Sequence, residues 1–302
     1  MTNAMTSEIH EVDGYLVGPE RTPRNRARSG TEGRPVRANN IHDDATAQNL
    51  GFRGGTIAGS VHLDQFPPVL VAAFGERWFT EGSISLLFRN ATVDAEAVTA
   101  MVRLPDGPSP QVEARMERHD KMLVAEGTAG VGAGTEPTYL HGIDLRPSPP
   151  GELRMLAGVE AGAPLSARTF TVDSTEQRAR IEGGAMTESL PWYLGESPWG
   201  PPIVNPSSIV QLIRNGPDDF GRDIAHAVGL FGAIELRFWS GPLRCDTAYE
   251  VGGEIAAVGS SPKTEYVWYD SRATGSDGNV AVSMRMQLRW MKASSPLYAE
   301  GA

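Results

Sequence analysis

The chain switches between two hydrophobic periods. Over 57–79, IAGSVHLDQFPPVLVAAFGERWF, the apolar positions Val61, Leu63, Phe66, Val69, Leu70, Ala73 and Phe74 follow helical spacing. Gly59-Ser60 stands where an N-cap belongs, and Pro67-Pro68 predicts a kink or a split. Over 82–104 the period becomes two, with a turn-like break around 90–95, which predicts two strands. A second alternating pair is predicted over 111–131, turned near His119-Asp120-Lys121. The Gly- and Pro-rich stretch 133–165 reads as a connection.

The same order then recurs. GAIELRFWSGPLRCDTAYEVGGEIAAV (232–258) matches the segment from residue 82 at an offset of 150: Gly232 falls on Gly82, Ile234 on Ile84, Leu236 on Leu86 and Phe238 on Phe88. Upstream, at an offset of 147, Trp199 falls on Phe52, Val204 on Ile57 and Ser207 on Ser60. An apolar helical stretch follows in both copies, at 59–74 and from 206 towards 230, and long alternating strands close the second copy over 264–290. Two copies of helix-then-antiparallel-strands indicate a duplicated α+β unit, with a helix covered by one sheet face. The boundaries expected are a polar segment over 1–36, a first domain over 37–135, a linker over 136–165 and a second domain over 166–295.

Composition narrows the function classes. The 302 residues are 40% hydrophobic and 21% charged, enough for a sizeable core. A formal charge of −10 argues against general binding of nucleic acid or anionic membranes. One cysteine, Cys245, excludes an intrachain disulfide and a Cys-rich metal site, and it reads as a small residue in a strand. The N-terminal residues lack the apolar core of a signal peptide, and there is no run of about 18 apolar residues. A soluble, cytoplasmic protein is the expectation. Within the first 36 residues Arg21, Arg24, Arg26, Arg28 and Arg34 form a local basic run. It reads either as a solvated segment or as a landing strip for phosphate, which the planar guanidinium fork suits.

One segment concentrates chemistry: NNIHDDATAQNLGFRGGTIAGS, residues 39–60. A carboxylate near the His42 imidazole would raise its pKa and fix its tautomer, which suits acid–base work near neutral pH. The alternative is that His42 and Asp44 cap a short helix starting near Asp43. His62 and Asp64 lie one turn into the following helix, either facing the site or as buried polar groups. Asp218-Asp219 falls in a turn and reads as solvated. No phosphate loop, dinucleotide loop, nucleophile elbow or His pair at metal spacing occurs, so neither cofactor nor metal is expected.

Asn39-Asn40-Ile41-His42, Asp43, Asp44, Ala47, Gly51-Phe52, Ile57-Ala58 and Gly59 resemble the signature of the MaoC-like hydratases and dehydratases of the hotdog superfamily. The resemblance implies a double hotdog, an acyl-thioester substrate on coenzyme A or an acyl carrier protein, and reversible addition of water to an α,β-unsaturated acyl chain. It maps the family's histidine to His42 and its oxyanion donor to a backbone N–H near Gly59-Ser60. The family's catalytic aspartate falls on Arg37, which cannot serve as a general base at neutral pH. Either Asp43 or Asp44 takes over, or the reaction differs.

The leading expectation is therefore a lyase of hydratase or dehydratase type, with His42, Asp43, Asp44, Gly59 and Ser60 as catalytic candidates. Arg37, His62, Tyr193, Trp199 and Asn205 are the substrate-binding candidates. Thioester hydrolysis, isomerisation or cyclisation in a biosynthetic pathway are the enzyme alternatives, and a non-catalytic acyl or polyketide binder is the rival from another class. A hotdog sheet leaves an edge to cover, so the two copies can pair within the chain as a pseudo-dimeric monomer; a homodimer of two such chains is the other arrangement left open.

Overall fold

The computed structural model describes residues 8–25, 40–107, 111–132, 137–146, 148, 152–184, 186–188, 190–214, 217–221 and 223–299. The first half contains β1 (His10–Val12), β2 (Tyr15–Val17), α1 (Asp44–Asn49), α2 (Gly59–Leu63), α3 (Pro67–Phe74), α4 (Trp78–Glu81), β3 (Gly82–Phe88), β4 (Val98–Arg103), β5 (Gln111–Arg118) and β6 (Leu123–Val131). The second contains β7 (Pro164–Thr171), α5 (Ser174–Glu182), α6 (Pro206–Ile213), β8 (Gly229–Phe238), β9 (Ala248–Ser260), β10 (Thr264–Thr274) and β11 (Val280–Met291). All eleven strands join one antiparallel sheet in the order β1-β2-β4-β5-β6-β3-β8-β11-β10-β9-β7.

The predicted helix splits where the prolines stand. Pro67 and Pro68 occupy the first positions of α3, where a missing N–H costs no helical bond. The N-cap of α2 is Ala58, without a side-chain bond, rather than the Gly59-Ser60 pair. Leu63, Phe66, Val69 and Leu70 are at most 1% exposed beneath the first half's strands, each burial being worth roughly 1.5–3 kcal/mol. In the second half the helix stops at Ile213, and short 3₁₀ turns occupy the stretch towards 230. Asp219, expected to be solvated, accepts the Ser166 N–H at 2.8 Å.

The structure adds detail to the N-terminal segment and to the connection. The N-terminal segment is not simply solvated: β1 pairs with β2, and β2 adds to β4 with Leu16 opposite Val102. Arg21 bonds Glu188 of the second half at 3.0 Å, and Arg24 pairs with Asp94 at 3.1 Å; Arg26, Arg28, Arg34 and Arg37 lie outside the described residues. The Gly/Pro connection packs onto the second half. Leu140, Met155 and Leu156 are buried, and the Glu265 carboxylate accepts the N–H groups of Arg154, Met155 and Leu156 at 2.8, 3.2 and 2.8 Å.

The sequence repeat becomes symmetry at the seam. β3 and β8 pair antiparallel with Ile84 opposite Leu236, Ser85 opposite Glu235 and Leu86 opposite Ile234. Since Ile84 and Leu86 are the repeat counterparts of Ile234 and Leu236, the pairing is isologous, with a pseudo-twofold axis between Ser85 and Glu235. Ser85 Oγ donates to the Glu235 carboxylate there at 2.7 Å. The halves are also knitted by aromatic rings: Phe79 of the first sits 5.8 Å from Trp192, 6.4 Å from Tyr193 and 5.8 Å from Trp199 of the second. No helix among the described residues is long and apolar enough to cross a membrane.

Candidate functional site

His42 stands on a turn clamped from three sides. Its own N–H donates to Asn40 Oδ1 at 3.1 Å, and its carbonyl accepts Asn25 Nδ2 at 2.8 Å. The chain returns through the Gly-rich loop, where the Thr56 N–H donates to the Ile41 carbonyl at 3.0 Å. Gly55 is required at this approach: a Cβ there would stand 2.2 Å from the His42 carbonyl oxygen. The ring is fixed by its Nδ1, 2.6 Å from the Thr56 carbonyl. A carbonyl only accepts, so Nδ1 carries the proton and Nε2 presents a lone pair. No hydrogen-bond partner for Nε2 occurs among the described residues.

The adjacent carboxylates serve the loop. Asp43 is the N-cap of α1 and accepts the Thr46 N–H at 2.9 Å, and Asp44 accepts the Gly55 N–H at 2.9 Å. The capping alternative thus describes these two bonds, with Asp43 rather than His42 or Asp44 as the cap, and a carbonyl rather than a carboxylate orients the ring. The expected rise of the His42 pKa is reversed. Burial pushes it below the ordinary 6.5, the Thr56 carbonyl opposes that shift, and the positive charge of Arg214 adds to it.

Arg214 comes from the second half. Ile41 and Ala47 pack with Val228, flanked by Leu50, Phe52 and Leu230, which brings the His42 turn against the start of β8. The Arg214 guanidinium carbon lies 5.8 Å from the centre of the neighbouring Phe231 ring. Helices α2 and α6 run together, and Gln211 Nε2 donates to Ser60 Oγ at 3.2 Å. Gln211, Arg214 and Thr56 had no local signal in the sequence that would join them to His42.

A second polar cluster lies where the two helices meet again. Asp64, 1% exposed, accepts the Ser207 N–H at 2.8 Å and Asn205 Nδ2 at 3.1 Å through one oxygen. Its other oxygen, the Asn205 Oδ1 and the Tyr193 hydroxyl are buried without hydrogen-bond partners. Burial raises the Asp64 pKa to about 6 against the pull of these bonds, and burial followed by the Asp64 and Glu188 charges raises that of Tyr193. His62 is also buried; its Nε2 meets Thr92 Oγ1 at 2.8 Å, and burial lowers its pKa to about 4.

These clusters are counterparts under the pseudo-twofold. Thr56 N–H to Ile41 carbonyl (3.0 Å) is repeated as Ile203 N–H to Trp192 carbonyl (3.0 Å), and Ile57 N–H to Thr92 carbonyl (2.9 Å) as Val204 N–H to Leu243 carbonyl (2.8 Å). Gln177 Nε2 donates to the Tyr193 carbonyl at 2.8 Å, as Asn25 does to that of His42. Tyr193 therefore holds in the second half the place of His42 in the first.

Of the substrate-binding candidates, Asn205 and Tyr193 belong to this closed cluster with Asp64, and His62 bonds Thr92 beside it. Trp199 packs edge-on against Trp192, with centroids 5.6 Å apart, as well as against Phe79. None of these four is joined to His42 by a hydrogen bond, and Arg37 lies outside the described residues. Ser60 is buried while Gly59 is partly exposed, and the N–H groups of both open α2, where no intrahelical acceptor is available. Two open grooves of about 480 and 430 Å³ run along second-half strands around Arg272 and contain none of the candidates. Cys245 is buried, its thiol pushed up to about 12 chiefly by burial. Among the described residues no group of three or more His, Cys, Asp or Glu could hold a metal ion.

No protein-family model matches the chain, and no curated protein matches it. Solved structures do. A candidate MaoC-domain dehydratase from Chloroflexus aurantiacus superposes with a TM-score of 0.59 at 12% identity, covering 93% of this chain and 96% of that one. A conserved Mycobacterium tuberculosis protein with a double hotdog fold, essential for bacterial survival during infection, gives a TM-score of 0.57 at 10% identity, covering 93% and 97%. The chain has the double hotdog fold, with both units in one polypeptide.

Proposed function

We propose that the protein is a lyase acting on an acyl thioester, with His42 as its general base and acid, adding or removing water at an α,β-unsaturated acyl chain. The observation that carries the reading is the His42 ring itself: neutral, its tautomer set by the Thr56 carbonyl, its Nε2 open, at the contact between the two halves. Such a ring accepts a proton at neutral pH and returns it. In the dehydration direction Nε2 removes the α-proton and the thioester oxygen takes up enolate charge. The β-hydroxyl then leaves with the proton returned from Nε2, as water. The N–H groups of Gly59 and Ser60 are the chain's own donors for that oxygen. The likeness to a candidate MaoC-domain dehydratase supports this reading at the level of fold.

Loss of enoyl absorbance with crotonyl-coenzyme A and a longer enoyl analogue tests it. Turnover is expected, and His42→Ala is expected to lower kcat by roughly 10²–10⁴-fold. Because the ring's pKa is depressed, the rate should hold its alkaline plateau to below pH 6.5. Unchanged turnover in His42→Ala overturns the assignment. Release of free thiol without consumption of the double bond assigns hydrolysis instead.

A further inference from the structure

Arg214 is a cation with no anion. It takes part in no ion pair among the described residues, and its electrostatic neighbours are Arg168, Tyr269 and His42. Arg168 strengthens the positive character of this corner: its Nη2 donates to the carbonyls of Leu212 and Arg214 at 2.7 and 2.5 Å, which anchors it at the end of α6. The matched positions Asp64, which follows α2, and Gln211, within α6, are also unequal. Where Asp64 stands in the closed cluster, α6 carries Gln211 and, one turn on, Arg214. Phe231 flanks the guanidinium on one side, and the Ile41–Val228–Leu230 contact fixes the His42 turn on the other. The Arg214 side chain is exposed, so water solvates it in the free protein, and its fork, with a second arginine behind it, is available to an anion that arrives beside His42.

We propose that Arg214, reaching from the second half to the side of His42 in the first, selects substrates whose acyl portion carries a carboxylate close to the carbons on which His42 acts. This rests on the reading of His42 as the acid–base group of a thioester lyase. The carboxylate belongs to the acyl portion because the phosphates of coenzyme A or a carrier protein stand a full pantetheine arm away from the thioester. The planar guanidinium fork matches a carboxylate in two parallel bonds, and a charge-assisted pair of that kind discriminates against an uncharged methyl at the same position. Arg214 is on this view a binding residue whose second effect is to add to the burial that holds the His42 pKa down.

The test compares the fumaric acid monothioester of coenzyme A with crotonyl-coenzyme A, which differ by carboxylate against methyl. Wild type should prefer the carboxylate substrate in kcat/KM by roughly tenfold or more. Arg214→Gln should lose that preference, and Arg214→Lys should retain part of it. Equal rates in wild type, or a preference that survives in Arg214→Gln, overturns the proposal while leaving His42-dependent turnover, and so the lyase reading, intact. A binding arm covers failure of the lyase reading. The His42 imidazole NMR signal is followed during titration with monomethyl succinate, dimethyl succinate and inorganic phosphate. A shift with monomethyl succinate alone, lost in Arg214→Gln, supports the carboxylate site even without turnover. Phosphate binding as tightly as the carboxylate with the same dependence on Arg214 overturns the acyl assignment in favour of the carrier's phosphate, and no response to any of the three overturns the site.

Discussion

His42 and Tyr193 occupy the same place in two copies of one fold, and they are treated in opposite ways. Both follow a carbonyl that receives the returning strand's N–H at 3.0 Å, and both have their own carbonyl held at 2.8 Å by a side-chain amide. His42 is partly exposed, neutral, and faces a cation from the other half. Tyr193 is 1% exposed, walled by Phe79, and faces the buried Asp64. Duplication supplied two equivalent positions. Side-chain packing kept one open to chemistry and turned the other into core.

Placing the same residue at both positions gives the largest expected effect. His42→Phe should lower turnover by roughly 10²-fold or more. Tyr193→Phe should leave turnover alone and shift stability by less than about 1 kcal/mol, since the hydroxyl it removes has no partner. Enoyl turnover and urea unfolding of the two variants read this directly, and comparable losses of turnover would break the comparison.

Next in size is Asp64→Ala, which leaves the buried Ser207 N–H without its acceptor and the Asn205 amide with Ser207 Oγ alone. It should cost about 1–3 kcal/mol in denaturant unfolding. A cost near zero would mean that the closed cluster contributes nothing to the seam between the halves.

A smaller effect concerns pH. Asp64 is raised from 3.8 to about 6, so the folded state holds its proton more tightly; this contribution is full below the unfolded value and is lost as pH rises through about 6. His62 is lowered from 6.5 to about 4, so its contribution is present above pH 6.5 and is lost as pH falls towards 4. The two slopes oppose each other between about pH 4 and 6. Asp64→Asn should therefore unmask a stability that rises with pH across that window, and His62→Gln one that falls. Parallel pH profiles in the two variants would contradict this.

Much of the fold was legible because it is written in periodicity. The strand pairs, the break at Pro67-Pro68 and the repeat at Ile84/Ile234 and Leu86/Leu236 all appear as spacing. Strands β1 and β2 do not, because three-residue edge strands such as His10–Val12, exposed throughout, carry no alternation. The site was legible only in part. Its imidazole stood out beside two aspartates, but it is a carbonyl, that of Thr56, that bonds the ring, while Asp43 and Asp44 accept backbone N–H groups of the loop. The charge that acts on it comes from Arg214, far along the chain, through packing that no local pattern announces. The register between the copies shows why. The matches run at an offset of 147 from Phe52 onward, whereas the backbone bonds relate Ile41 to Trp192 at 151. The second copy is thus four residues shorter between these points, where the first copy holds α1, and that gap hides the correspondence of Tyr193 with His42 from a constant offset.

The axis between Ser85 and Glu235 carries a consequence for descent. In a true homodimer the residue on this axis faces its own copy. Two copies of the first half would set serine against serine, a pair that satisfies itself. Two copies of the second would set one buried glutamate against another, which repel. Glu235 is held below the usual carboxylate range because burial is outweighed by donors that include His141, Thr138 and Ser85, the last from the opposite half and Thr138 and His141 from the connecting segment. A carboxylate here requires its neighbour to be different. With that difference in place, the second copy matches the first across this edge better than it would match itself, since a Glu–Glu pair there would have to take up a proton.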